Sequence, residues 1–153
     1  MAPPAQPVRI EEAATASDEL VAAVTGLLAQ LSASAAPPDA ARLGEIMASP
    51  ASRLLLARDE QGALVGMLTL VLFPIPTGIR AWIEDVVVDK QARGRGIAAA
   101  LTHEALRLAA ARGARTVDLT SRPDREAANR LYAKLGFRRR DTNVYRYELP
   151  TRV

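Results

Sequence analysis

The chain of 153 residues contains no cysteine and a single histidine, His103. Without cysteine it can form no disulfide, present no thiol nucleophile and give no thiolate to a metal. One histidine is too few for a histidine-rich metal centre and argues against a serine triad, so no metal is expected. Aromatic residues make up only 4% of the chain, too few to run through its arginines as a stacking surface would need. A surface that stacks nucleic-acid bases is therefore not expected. Long apolar runs are missing too: none is of bilayer length, and the first seven residues lack the basic and apolar regions of a secretory leader. These features predict no membrane association and a cytoplasmic location.

What the chain does have is charge, unevenly spread. Residues 1–89 carry 5 arginines against 11 acids, a balance of −6, and residues 90–153 carry 15 basic residues against 6 acids, a balance of +9. The split suits a polyanionic ligand near the C-terminal half and a cationic one near the acidic half. The length suits one domain, large enough to bury about two thirds of its unfolded surface. That domain is expected over residues 8–150, behind a proline-rich, disordered tail at 1–7.

Punctuation and periodicity divide the chain into elements. Val8 to Glu11 reads as a short edge strand. Ser17-Asp18, with Leu20, Val21, Val24, Leu27, Leu28 and Leu31, reads as a capped amphipathic helix. Ser32 to Pro38 breaks it, and a second helix is expected from Asp39 to near Pro50. Strands at Arg53 to Arg58 and Ala63 to Phe73 flank the turn Asp59-Glu60-Gln61-Gly62. Pro74 and Pro76 predict a loop over Pro74 to Gly78, because proline removes ladder donors. A buried strand follows at Trp82 to Val88, then a helix at Ala98 to Ala111, a strand at Arg115 to Thr120 and a helix from Asp124 to Leu135 capped by Gly136. Phe137 to Arg140 and Asn143 to Leu149 are expected to close the sheet as a hairpin. The alternation predicts an α/β (α+β layered) fold, a mixed sheet with helices on both faces.

Between the strand ending at Val88 and the next helix lies Gln91-Ala92-Arg93-Gly94-Arg95-Gly96. A basic, glycine-spaced loop opening into a helix presents unpaired N–H groups at the positive end of a helix dipole, a site for phosphate. It is not a Walker loop, since Ile97-Ala98 stands where Lys-Ser or Lys-Thr must hold phosphate and magnesium. A dinucleotide fingerprint fits poorly, with Asp118 the only candidate acid and one strand-helix unit in view.

The stretch resembles the signature loop of the GCN5-related N-acetyltransferase superfamily, in which Gln or Arg is followed after two residues by Gly and, one residue on, by Gly or Ala. Gln91, Gly94 and Gly96 match it. Downstream, Ala128-Asn129-Arg130-Leu131-Tyr132-Ala133-Lys134-Leu135-Gly136-Phe137 is similar to the family's Ala-x-x-Leu-Tyr-x-Lys-x-Gly-Phe segment. The two motifs stand in the family's order, and the resemblance extends over residues 52–149. It implies acetyl-coenzyme A as co-substrate, with Gln91, Arg93, Gly94, Arg95, Gly96, Ile97 and Ala98 around its diphosphate. It further implies a splayed strand pair, at Val86 to Val88 and Arg115 to Thr120, whose free main chain at Val86, Val87 and Val88 meets the pantetheine arm. Coenzyme A with an amine is also a polyanion and a cation, as the charge split requires. A homodimer is the corresponding expectation for assembly.

The chemistry sets a requirement. A lysine-like amine of pKa about 10.4 is neutral in about one part in 10³ at pH 7, and freeing it costs roughly 4–5 kcal/mol. A carboxylate must therefore face the amine. Strand alternation puts Trp82, Glu84, Val86 and Val88 on one face and Ile83, Asp85 and Val87 on the other, so only one of Glu84 and Asp85 can face the substrate. The order Ile83-Glu84-Asp85 resembles polyamine and amino-sugar acetyltransferases, which implies Glu84 as base, with Glu84 and Asp85 as the substrate-binding candidates. Histone acetyltransferases carry their glutamate nearer the position of Arg80. A surface ion pair is the plain alternative for either acid.

At the other end a thiol of pKa about 8.5 departs, and a tyrosine of pKa about 10 can stabilise it by hydrogen bonding and protonate it late. The resemblance gives Tyr132 that place; a packed core ring is the alternative. A main-chain N–H near Val86 or Val87 would meet the oxyanion. Many members bind pantetheine through an Asn seven residues before the tyrosine. Here Arg125 stands there and Asn129 lies three before Tyr132, so the contact falls to one or the other. The expected activity is acetyl transfer from acetyl-coenzyme A to a primary amine of a small molecule by direct attack. The alternatives are an acyl-coenzyme A-binding module without turnover, and an enzyme acting on a protein N-terminus or aminoacyl-tRNA.

Overall fold

Ser17 lies in extended backbone geometry ahead of α1 (Asp18–Leu31), and its Oγ accepts the N–H of Leu20 at 3.1 Å. Asp39 serves α2 (Ala40–Ala48) in the same way, accepting from the N–H of Arg42 at 2.8 Å. Each cap satisfies a donor that the helix itself cannot, a contribution of about 1 kcal/mol. The structure, a computed structural model, describes residues 7–151. Of the tail expected at 1–7, all but Pro7 lies outside those residues.

Five strands make one sheet in the order β1-β2-β3-β4-β5: β1 (Arg9–Glu12), β2 (Ser52–Arg58), β3 (Leu64–Ile75), β4 (Gly78–Val88) and β5 (Val117–Asp118). The first four are antiparallel and β5 joins β4 in parallel, so the sheet is mixed. Asp59 shapes the β2-β3 turn, its Oδ1 accepting from the N–H groups of Gln61 at 3.0 Å and Ala63 at 2.9 Å.

Both faces of the sheet are covered, which is why β2 and β3 read as continuous apolar runs. On one face Leu54, Leu56, Met67 and Val87 pack beneath Leu20, Val24 and Leu27 of α1 and Leu43 of α2. On the other, buried Leu68, Leu70, Leu72, Ala81 and Ile83 meet α3 (Ile97–Ala111), whose buried residues Ile97, Leu101, Ala105 and Ala109 recur every fourth position. At Gly66 the strand has no side chain between it and α3. A Cβ added there would stand 3.0 Å from Ile97 Cγ2 and 3.3 Å from Leu101 Cδ1.

The contacts divide the chain into two compact units, one ending at Thr120 and one beginning at Ser121. The second carries α4 (Glu126–Lys134). Gly136, at φ +93, ends it in a left-handed turn. Phe137 N–H donates to Tyr132 C=O at 3.0 Å and Gly136 N–H to Ala133 C=O at 3.1 Å. This pair of bonds is the Schellman arrangement, which favours an apolar contact between the residues it joins. Tyr132 and Phe137 make that contact, ring centroids 5.7 Å apart and edge to face.

Four expectations are corrected. Pro74 to Gly78 is not an interrupting loop: β3 continues to Ile75, β4 starts at Gly78, and Pro74 pairs with Ile79. Proline is tolerated because β2 pairs only as far as Val71, so Pro74 faces a neighbour on one side alone. The strand expected at Arg115 to Thr120 shrinks to Val117–Asp118. The final hairpin is absent among the described residues, with Val144, Tyr145, Tyr147 and Leu149 all exposed. Alternation marks residues able to form a strand, but a strand exists only where a neighbour completes its ladder.

The fourth correction concerns β4. Thr69 pairs with Glu84 and Met67 with Val87, so Asp85 and Val86 together oppose the single residue Leu68. This bulge reverses the alternation. Residues opposite each other share a face, so Trp82, Glu84 and Val87 lie on the α1 side, and Ile83 and Val88 on the α3 side. The grouping of Glu84 with Val86 and Val88, and of Ile83 with Val87, does not hold.

Candidate active site

The exit of β4 is fixed before the loop begins. Asp89 N–H donates to Val65 C=O at 2.9 Å, and Asp89 Oδ1 accepts from Gln91 N–H at 2.8 Å. Its Oδ2 accepts from Gln30 Nε2 at 3.1 Å, and Gln30 Oε1 accepts from Lys90 N–H at 2.9 Å. The N–H of Gln91 first, and the Gln30 amide second, hold the Asp89 carboxyl below its ordinary range. A single 3-10 turn over Lys90–Ala92 follows, pinned by the buried side chain of Ala92.

Gly94 and Gly96 both adopt φ +77, a conformation natural to glycine, and Gly96 is the N-cap of α3. Unlike Ser17 and Asp39, it supplies no side-chain cap. The first bond into the helix is Ala100 N–H to Gly96 C=O, so the N–H groups of Ile97, Ala98 and Ala99 have no acceptor within α3. No protein atom comes within 4 Å of a Cβ built on Gly94 or Gly96, so the space over the loop is open. Arg93 Nε donates to Val88 C=O and Arg95 Nη2 to Gln91 C=O, each at 3.3 Å, which folds two cations back around the turn. Ile97 is buried in the core and offers only its main chain. The donor set fits a diphosphate: uncapped amides, a helix dipole and fixed positive charge.

Beside this cup the sheet edge opens. β5 pairs with β4 only at Ala81 and Trp82, so from Ile83 to Val88 β4 has no β5 partner among the described residues. Val86 and Val88 are half-buried on that edge, while the Val87 side chain is buried in the α1 core and can act only through its main chain. Glu84 and Asp85 are both exposed. Glu84 Oε1 accepts the indole N–H of Trp82 at 2.8 Å. Asp85 holds φ +50 at the bulge, a costly left-handed geometry for a residue with a Cβ. Arg80 is paired with Asp118 at 3.5 Å.

The second unit carries the remaining candidates. Burial raises the Tyr132 hydroxyl above the usual tyrosine range, and the Arg125 charge offsets part of that rise. Asn129 Nδ2 donates to Arg122 C=O at 2.9 Å, so it already supports the turn before α4. Arg125 is the exposed N-cap and makes no side-chain capping bond.

The first unit thus brings Glu84, the bulge and the loop of Gln91 to Ala98 onto one strand-turn-helix. Sequence reasoning missed Gln30, whose link to Asp89 spans 59 positions and leaves no local signal. It also missed the Trp82–Glu84 bond, although the two-residue spacing was visible. Among the described residues no group of three or more His, Asp or Glu is placed to hold a metal ion, and no helix is long and apolar enough to cross a membrane.

Residues 20–137 match the acetyltransferase (GNAT) family. The chain is 40% identical over 73 residues to N-alpha-acetyltransferase 30 of Schizosaccharomyces pombe, a stretch that is 48% of each chain. It is 41% identical over 91 residues to mycothiol acetyltransferase of Amycolatopsis mediterranei, covering 56% of this chain and 30% of that protein. The matched stretches therefore span half or less of these relatives. An aminoglycoside acetyltransferase from an uncultured soil metagenomic sample has the same fold, at a TM-score of 0.81 and 18% identity over 94% of this chain and 97% of that one. A glycine-spaced, uncapped helix start beside an open strand edge, and a family match across most of the sequence, lead to one conclusion: the chain belongs to the acetyltransferase (GNAT) family.

Proposed function

We propose that the protein transfers an acetyl group from acetyl-coenzyme A to a primary amine of a small molecule, by direct attack within a ternary complex. The observation that carries this reading is the exposed Glu84 carboxylate on the same strand that leads into the amide cup. The N–H groups of Gly94 to Ala98, with Arg93 and Arg95, would hold the diphosphate, and the main chain of Val86 to Val88 the pantetheine arm. Arg125 is free of the capping duty that Asn129 performs for Arg122, which makes it the better candidate for a coenzyme phosphate.

In the proposed reaction the ammonium gives a proton to Glu84, and the freed lone pair forms a C–N bond to the acetyl carbonyl carbon. A main-chain N–H at the bulge would stabilise the oxyanion. As the oxyanion collapses to the amide carbonyl the C–S bond breaks, and the second proton on nitrogen passes to solvent. The Tyr132 hydroxyl would hydrogen-bond the departing thiolate and protonate it, to be reprotonated in turn by solvent, to which Glu84 releases its own proton. Asp85, forced outward beside Glu84, would contribute to acceptor binding.

The relationship to N-alpha-acetyltransferase 30 supports a second reading, in which the amine is a protein N-terminus. Thiol release measured over alkylamines, amino sugars, polyamines, amino acids and short peptides with free N-termini separates the two. Turnover confined to small amines, and strongly reduced but still measurable in Glu84→Gln, is expected. Turnover only with peptides would replace the small-molecule reading, and coenzyme binding without thiol release on any amine would leave a binding module.

A further inference from the structure

We propose that Trp82 is a positioning residue: its indole N–H fixes Oε1 of Glu84, so that Oε2 is the oxygen presented to an incoming alkylammonium. The proposal rests on the reading of Glu84 as the acceptor of the amine proton. The 2.8 Å bond joins residues two apart on one face of β4. Indole nitrogen donates and cannot accept, so it orients the carboxylate without competing for the substrate's proton.

The two residues differ in how firmly they are held. Trp82 pairs with Val71 on β3 and with Asp118 on β5, the last position at which β4 has a strand on each side. Glu84 lies past the end of β5, next to the bulge, with its side chain in solvent. An exposed glutamate samples many rotamers, and one bond to a ring anchored in the ladder removes most of them. On the same face Arg80 is already engaged by Asp118 at 3.5 Å. A carboxylate beside an aromatic ring is a site for a protonated alkylamine rather than for a neutral arylamine.

Trp82 is the only tryptophan in the chain, so its emission reports this contact directly. Glu84→Gln, without substrate, is expected to shift the emission maximum of the full chain. Trp82→Phe keeps an aromatic ring and loses the donor. It should lower kcat/KM for alkylamines about tenfold, mainly through kcat, with unchanged acetyl-coenzyme A affinity and an unchanged far-ultraviolet spectrum. In the Glu84→Gln background, assayed at high enzyme concentration, the same change should have less than about a twofold effect. Trp82→His, which retains a ring N–H, should recover part of the loss. An emission maximum indifferent to Glu84→Gln, or an equal loss from Trp82→Phe in both backgrounds, would overturn the proposal while leaving Glu84 as base. A wild-type protein that turns over no amine would instead remove the reading beneath it.

Discussion

Gln30, in the last turn of α1, donates to Asp89 Oδ2 at 3.1 Å and ties that helix to the exit of β4. Its carbonyl oxygen takes the N–H of Lys90, so one side chain spans the first step of the loop. Gln30→Ala should leave the fold intact and loosen this step. Calorimetry is expected to show acetyl-coenzyme A binding about 3- to 10-fold weaker, the effect of losing one or two partly exposed hydrogen bonds.

Gly96→Ala tests the cup itself. At φ +77 an alanine carries about 1 kcal/mol of strain, and its methyl group projects into the open space over the amides. Coenzyme affinity should fall at least about tenfold. Gly113, at φ +84 past the C-terminal end of α3, is the control. Gly113→Ala should cost similar stability in urea denaturation and leave coenzyme affinity unchanged.

Where α3 crosses the sheet the constraint is volume. The Cβ of Gly66→Ala would lie 3.0 Å from Ile97 Cγ2, and Ile97 is itself buried. Overpacking of this kind costs about 1–3 kcal/mol. Because Ile97 opens the helix that forms the cup, the variant should lose coenzyme affinity together with stability, and a second-site Ile97→Val, which removes Cδ1 but keeps the Cγ2 that is met, should restore neither.

These sites differ in how far the sequence announces them. Ser17, Asp39 and Gly136 are local signals: a cap or a left-handed residue acts within a few positions, and each helix ends where its residue types require. The Gln91 to Gly96 spacing is equally local, because the same glycines that turn the chain expose the amides. The bulge at Asp85 and Val86 is different. It arises from a register shift against Leu68 on another strand, and no residue in β4 announces it, so strict alternation mis-sorted Val86, Val87 and Val88. Pro74 was misread for a related reason. Its tolerance depends on where β2 ends, which is a property of the sheet and not of the dipeptide.

Asp89 gives the acid side of stability. Its carboxyl is held below the ordinary value by the N–H of Gln91 and the amide of Gln30. A depressed carboxylate stabilises the fold above its unfolded pKa, about 3.9, and that contribution is lost as pH falls through the lower folded value. Asp89→Asn cannot accept from Gln30 with its amide nitrogen. The variant should be less stable than wild type at pH 7, by about 1 kcal/mol, and the gap should close as pH falls below about 4. Thermal unfolding between pH 3 and 7 measures the difference; a gap independent of pH would place the effect elsewhere.

Tyr132→Phe separates the hydroxyl from the ring. The ring's edge-to-face contact with Phe137 and the Schellman bonds beneath it do not use the oxygen, so the variant should unfold within a few degrees of wild type. What it loses is a proton donor. Burial raises the hydroxyl above the ordinary tyrosine pKa of about 10, so it stays protonated across the working range and can give a hydrogen bond to a thiolate whose conjugate acid lies near 8.5. The expected result is a fall in kcat of about 10²-fold, with the KM for the amine changed less than about threefold. For wild type the same logic places any loss of rate from tyrosine ionisation above pH 10. A Phe variant with full kcat would make Tyr132 a packing residue and leave the thiolate to solvent.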